Sequence, residues 1–259
     1  MIHPTAIIDS TANLAADVEV GPYAIIGKHV SIGKETTVGA HAVIGDWTEI
    51  GENNRIFAQA SVGAPPQDLK YRGEECWTRI GDNNMVREFA TIHRGTASGH
   101  AETIVGSNNL FMAYSHIAHD CVIGSGIVMA NVATLAGHVT VEDNVIIGGL
   151  VAVHQFSRIG AYAMVGGGTM VGMDILPYTI ATSSKREAKL RGLNLIGLKR
   201  RGFTDETIAK LKTAYKTLFM ADLKLPDAIA RIKIEITNCP EVDYLLAFID
   251  STQRGFCKG

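Results

Sequence analysis

The sequence predicts a mainly β chain: a parallel β-solenoid over residues 1–183, closed by a small α-helical domain over 184–259. Three observations carry this. An aliphatic residue recurs at every sixth position, two polar stretches interrupt the period without abolishing it, and the spacing becomes helical near residue 184. The series begins Ile2, Ile8, Leu14, Val20, Ile26 and Ile32, and continues unbroken through Val38, Ile44, Ile50 and Ile56 to Val62. A helix needs apolar spacing of three and four, and a half-buried strand needs spacing of two. Six fits a coil in which each hexad forms one flat side, the aliphatic side chain points inward, and a glycine or small residue lets the chain turn at the corner. Three sides then close a coil of eighteen residues. Stacked at roughly 4.8 Å, about ten such coils make a prism on the order of 45 Å long.

The first insertion, residues 63–79, contains "APPQDLKYRGEECW", after which Ile80, Val86 and Ile92 resume in phase. A second, over 93–104, shifts the phase by one, and Val105, Phe111, Ile117 and Ile123 lead a further run to Val171. A prism has open strand edges at its ends, which must be covered. Cover is offered by "FTDETIAKLKTAYKTLF", where Thr204 precedes a run with Ile208, Leu211, Tyr215, Leu218 and Phe219 on one helical face. Pro226 and Pro240 stand where further helices would begin.

At 259 residues and 46% hydrophobic the chain can bury a large core. It has no apolar run of about 18 residues and no basic-then-apolar leader, so no membrane span is expected and a cytoplasmic location is. Cys76, Cys121, Cys239 and Cys257 lack metal-ligand spacing and the density of a disulfide framework, and read as free thiols. A net charge of -2 gives no general attraction to nucleic acid.

Within the solenoid, position n lies beside n+18 on the next coil. That rule stacks His119 beside Gly137, Asp120 beside His138, Ala136 beside His154 and Gly137 beside Gln155. Taken singly, each histidine reads as a surface imidazole. Stacked in register, "HIAHD", "AGH" and "VHQF" read as a site. Three imidazoles could hold zinc with a water in the fourth position. A general-base site needs less: a neutral imidazole, a carboxylate that orients it and a backbone donor facing the atom that gains charge. His119, Asp120 and the Gly137 amide supply those parts, and on this reading no metal or cofactor is required.

The hexad pattern resembles that of hexapeptide-repeat acyltransferases, which implies a left-handed parallel β-helix. At "DLKYRGE", "TIHRGT", "HIAHDC", "ATLAGHV", "AVHQF" and "GLKRRGF" the chain is similar, over essentially its whole length, to the UDP-N-acetylglucosamine acyltransferases that open lipid A synthesis. The resemblance implies transfer of a (3R)-3-hydroxyacyl group from acyl carrier protein to the 3-position of UDP-N-acetylglucosamine, by a homotrimer with its sites between subunits. It makes His119 the base, Asp120 its partner and the Gly137 amide the oxyanion donor. It sets Asp68 and Lys70 in a loop reaching toward the neighbouring subunit's cleft, and His93, His116, His138 and Gln155 along the sugar-nucleotide and acyl pocket. Asn194 and Arg201 would contact the nucleotide, and Gly167 would leave room for a long acyl chain. "TSSKREAKLR" departs from the family pattern, which has a chain-length histidine near Lys185, so no residue is given that role. Related readings are an N-acyltransferase acting on a UDP-amino sugar, with the acceptor atom left open, and a non-catalytic scaffold, which would leave the stacked histidines unexplained.

Seven of the 24 cations lie between Lys185 and Arg201, with Glu187 the only acid among them. Acyl carrier protein is acidic, so Lys185, Arg186, Lys189 and Arg191 are expected to form its docking patch.

Overall fold

The computed structural model describes residues 1–184 and 187–259. Two- to four-residue strands follow one another around a triangular prism, and every strand pairs in parallel with the equivalent strand of the next coil. Ile26 lies beside Ile44, Ile44 beside Val62, Ile117 beside Leu135 and Leu135 beside Val153, each a step of eighteen. Across the insertions the step lengthens: Val62 meets Ile92 and Ile92 meets Ile117. The inward aliphatics are the core, with Ile26, Ile44, Ile92, Phe111, Ile117, Met129, Leu135 and Ile147 all essentially inaccessible. The prism is a left-handed parallel β-helix, the fold of the solved relatives described below.

The corners turn differently from the expectation. Their left-handed residues are mostly not glycine: Tyr23, His41, Phe89, Tyr114, Val132 and Leu150 on a first edge, Trp47, Asp120, His138 and Phe156 on a second, Asn53, Asn83, Asn108, Asn144, Tyr162 and Tyr178 on a third. Each such residue costs about 1 kcal/mol or more. At successive coils its N–H donates to a carbonyl of the coil before, as His138 does to His119 and Tyr162 to Asp143. The glycine that follows many inward aliphatics serves close packing instead. At Gly39 a Cβ would stand 2.6 Å from the backbone nitrogen of Ala58 in the next coil.

Most hexads also bury a second residue, two positions before the aliphatic, which is a small, polar or β-branched side chain. Under the third edge these form a ladder of Thr36, Asn54, Asn84 and Asn109, all at 1% exposure or less. Asn84 N–H donates to Asn54 Oδ1 at 2.9 Å, Asn109 N–H to Asn84 Oδ1 at 3.0 Å, and Ile127 N–H to Asn109 Oδ1 at 2.7 Å. The amide of Asn84 donates in turn to the Gly106 carbonyl at 3.0 Å. Backbone N–H groups that turn inward at this corner are thereby satisfied, which burial demands.

The boundary expected at residue 184 falls inside a hairpin. Thr179–Ser184 and Glu187–Leu193 pair antiparallel, and Met164 and Val165 pair with Ile180 and Ala181 in parallel, so the hairpin extends the prism sheet. Helices begin only at Leu195: α1 (Leu195–Arg200), α2 (Asp205–Met220), α3 (Leu225–Glu235) and α4 (Pro240–Asp250). Thr204 caps α2 by accepting from Thr207 N–H, and α2 buries Ile208, Leu211 and Tyr215. The helices lock onto the last coils. Glu142 accepts from the Tyr244 hydroxyl of α4 and from Arg158, whose guanidinium stacks on Phe248. Buried Asp174 pairs with Phe256 as an added parallel bridge, so the chain's last residues cover part of the prism's end. Among the described residues no helix is long and apolar enough to cross a membrane.

Replacing Asn84 with alanine strands the Asn109 N–H and the Gly106 carbonyl in the core. Chemical denaturation should register a loss of about 2 kcal/mol or more. A change below about 0.5 kcal/mol, the range of ordinary surface substitutions, would mean the ladder does not carry stability.

Candidate active site

Both insertions leave the prism at the second edge, and both fold over it. Strand Ser61–Ala64 enters the first loop and Trp77–Ile80 leaves it; Thr91–His93 enters the second and Glu102–Val105 leaves it. Between them they roof a cleft of about 840 Å³, lined by Asp68 and Lys70 from the first loop, Gly99 and His100 from the second, and His119, His138, Gln155 and Phe156 from the coils. The expected set Asp68, Lys70, His119, His138 and Gln155 is thus brought together. The first loop lies beside His119 and His138 of its own chain.

Asp120 organises the cleft. Its carboxylate is wholly buried. Oδ1 accepts from the N–H groups of Thr96 and His100 at 3.0 and 2.9 Å, and Oδ2 accepts from the Thr96 hydroxyl and His119 Nδ1, both at 2.7 Å. Burial alone would raise this carboxyl, but the Thr96, His119 and His100 donors outweigh it and hold the group below its ordinary value. A carboxylate without a proton requires that Nδ1 of His119 carry the hydrogen, which leaves the Nε2 lone pair free. That nitrogen faces Gly137. A Cβ built there would lie 2.8 Å from His119 Nε2 and 2.6 Å from Cε1, so only glycine lets the two coils approach this closely. Among the described residues the Gly137 N–H has no backbone or side-chain acceptor.

Three neighbouring imidazoles, His138, His116 and His93, have their pKa values lowered. His138 stacks on Phe156, with centroids 4.5 Å apart and planes 9° from parallel, and its Nε2 lies 3.8 Å from Asp120 Oδ2. Burial lowers its pKa, and His119 and His100 lower it further against the pull of Asp120. His93 and His116 lie on the adjoining face, ring against ring with centroids 4.8 Å apart. His116 Nδ1 bonds the Thr91 hydroxyl at 2.7 Å, and its pKa is lowered by burial and then by His119. His93 is 5% exposed, its Nδ1 has no partner, and burial drives its pKa down to about 4. Neither His93 nor His116 lines the cleft.

The remaining expectations disperse. Gly167 sits at the first edge against Gly149. Asn194 is buried at the third edge, where its Nδ2 donates to the Tyr162 carbonyl and its Oδ1 accepts from Gly197 N–H, so it caps α1. Arg201 lies beside Gly126 on the same edge. Lys189 and Arg191 are exposed on strand Glu187–Leu193, and Arg191 Nε donates to the Thr182 hydroxyl at 2.8 Å. Lys185 and Arg186 lie outside the described residues. An apolar hollow of about 530 Å³ adjoins His154 on the face that bears His116, between Met170, Val171, Met173, Ala188 and Cys257.

Thr96, Thr103 and His100 escaped the sequence reading. Thr103 Oγ1 accepts the Asp120 N–H at 2.8 Å and Thr96 supplies two of the four carboxylate donors, yet all three stand in an insertion where the eighteen-residue rule has no force.

Stacked coils, a buried carboxylate behind a histidine and an adjacent backbone donor define a transferase of the hexapeptide-repeat class. Comparison with known proteins narrows the class. The family described as "Udp N-acetylglucosamine O-acyltransferase; Domain 2" matches residues 174–257. The acyl-[acyl-carrier-protein]--UDP-N-acetylglucosamine O-acyltransferase of Trichlorobacter lovleyi is 72% identical over 100% of this chain and 99% of its own. That of Thermodesulfovibrio yellowstonii is 53% identical over 99% of each. Among solved structures, the UDP-N-acetylglucosamine acyltransferase of Francisella novicida superposes with a TM-score of 0.97 at 41% identity, covering 100% of this chain and 94% of that one. The Campylobacter jejuni enzyme gives 0.93 at 39%, covering 100% of both. The chain belongs to the acyl-[acyl-carrier-protein]--UDP-N-acetylglucosamine O-acyltransferase family.

His93 is neutral in the fold down to a pH of about 4, while an unfolded imidazole titrates near 6.5. Acidification below 6.5 therefore protonates the unfolded chain first and lowers stability. His93→Gln should lose less stability than the parent between pH 7 and about 5 in denaturant titrations. Equal losses would show that His93 is not a source of the acid sensitivity.

Proposed function

We infer that this chain transfers a (3R)-3-hydroxyacyl group from acyl carrier protein to the 3-hydroxyl of UDP-N-acetylglucosamine, the first step of lipid A biosynthesis, with His119 as general base. The observation that carries the mechanism is the 2.7 Å bond from His119 Nδ1 to buried Asp120, which turns an unprotonated Nε2 toward the cleft. Nε2 takes the proton of the sugar hydroxyl as its oxygen attacks the thioester carbonyl. The carbonyl oxygen gains the charge, and the Gly137 N–H donates to it. Collapse breaks the carbon–sulfur bond, and His119 returns its proton to the departing carrier thiolate. Asp120 stays ionised throughout and stabilises the imidazolium that forms between the two transfers. His138, Gln155, Asp68 and Lys70 surround the point where the sugar must sit, and neutral His138 can accept or donate a single bond there.

Asn194, Arg201 and Gly167 stand on edges of the prism other than the one that bears His119. Their family roles at the same nucleotide and acyl chain are compatible with this fold only if neighbouring copies supply them, which favours a homotrimer with clefts between prisms. Within that reading Asn194 acts through α1, which it caps, while exposed Arg201 offers the planar fork that suits a diphosphate. The apolar hollow beside His154, together with a glycine at 167, suits a long acyl chain. Lys189 and Arg191 are proposed to meet the acidic carrier protein.

His119→Ala should lower kcat by about 10²–10⁴-fold, in a protein that still folds and unfolds cooperatively. Turnover near that of the parent would overturn the assignment. Lys189→Glu combined with Arg191→Glu should raise KM for the acylated carrier protein by about tenfold while that for the sugar nucleotide stays within about twofold. Equal effects on both would refute docking on this strand.

A further inference from the structure

One cluster at the cleft combines two residues of the acyl-transfer site, Asp120 and His138, with a third, His100, whose side chain the reaction does not use. His100, Asp120 and His138 each offer a ligand atom, and all three atoms lie within 4.8 Å of one another. The 3.8 Å between His138 Nε2 and Asp120 Oδ2 is already near the roughly 3.4 Å that separates ligands on a tetrahedral ion with bonds of about 2.1 Å. Among the described residues neither ring nitrogen of His100 or His138 makes a hydrogen bond, so their lone pairs are uncommitted. The His138 plane is fixed by its stack on Phe156. His100 is exposed on the second loop, with its ring 6.2 Å from that of His138.

We propose that His100, Asp120 and His138 form an inhibitory site for a divalent transition metal ion of the zinc class. Two imidazoles and one carboxylate with a fourth position for water are a donor set that such ions favour. The four hydrogen bonds to Asp120 fill both of its oxygens, so an ion bound at Oδ2 must displace one donor. Of the two donors on that oxygen, the Thr96 hydroxyl and His119 Nδ1, the second belongs to the ring set edge-on to His138, with centroids 5.2 Å apart, and is the one displaced. Losing it frees the ring that acts as base, and a dication beside His119 opposes the imidazolium that base catalysis creates. Because His138 faces the sugar position, metal and sugar nucleotide compete. The inhibitory consequence rests on the general-base reading above; the binding site itself does not.

The unliganded protein is titrated with Co²⁺ and read by its visible ligand-field absorption, in the parent, His100→Ala and His100→Asn. Zn²⁺ inhibition is then measured for each, relative to the same protein's metal-free rate. The expected result is one ion per chain with tetrahedral absorption, affinity weakened by about tenfold or more in both variants, and inhibition that EDTA reverses and that excess UDP-N-acetylglucosamine relieves. No stoichiometric uptake, or equal affinity with and without the His100 imidazole, overturns the site. Uptake that depends on His100 but leaves turnover untouched keeps the site and overturns both its inhibitory role and the coupling of Asp120 to His119. A His100 variant that melts at the parent's temperature excludes misfolding as the cause of lost binding.

Discussion

Each coil of this prism points its backbone N–H and C=O groups along the long axis, where only the adjacent coil can satisfy them. That constraint sets the rest of the structure. It forces strict register, so a residue at one corner meets its counterparts above and below. It places left-handed residues at the corners despite their cost, because their N–H groups reach carbonyls of the coil before, as from His138 to His119. It also explains the buried asparagine ladder, which carries side-chain acceptors to inward N–H groups that the strands leave open.

Register is what makes the cleft chemical. Asp120 sits at a corner whose geometry would otherwise offer a buried carboxylate little relief from its lost hydration. The second insertion provides that relief through Thr96 and the His100 amide, and His119 completes it. A surface loop thus holds an ionised group in the interior, and the ionised group holds a histidine in one tautomer. The next coil supplies Gly137, without whose bare Cα the imidazole could not lie against the backbone that bears the oxyanion donor. Sequence, coil packing and reaction are linked through three successive atoms: a carboxylate oxygen, an imidazole nitrogen and an amide hydrogen.

Much of this was legible in the residues. The hexad period gave the coil, and the eighteen-residue step paired His119 with Gly137 and Asp120 with His138, because no insertion intervenes between those coils. The same rule is silent across 63–79 and 93–104. The contact of His93 with His116 and the donors from Thr96 and Thr103 therefore came only with the structure. Residues 187–193 read as the start of the helical domain because the hexad period stops near 184, yet buried Ala188 and Leu190 alternate with exposed Lys189 and Arg191 at a strand's period of two. The dispersal of His119, Gly167 and Arg201 over three edges could be anticipated from register once their corners were known, and it is the strongest structural reason to look for substrate between copies.

The account turns on where the acceptor hydroxyl lies relative to two atoms on neighbouring coils. A crystal structure with the acylated sugar-nucleotide product bound tests it most directly. The account predicts the ester oxygen within about 3 Å of His119 Nε2 and the acyl carbonyl oxygen within about 3 Å of the Gly137 nitrogen. A product whose ester lies at another edge of the prism, with His119 Nε2 facing only solvent, would contradict it.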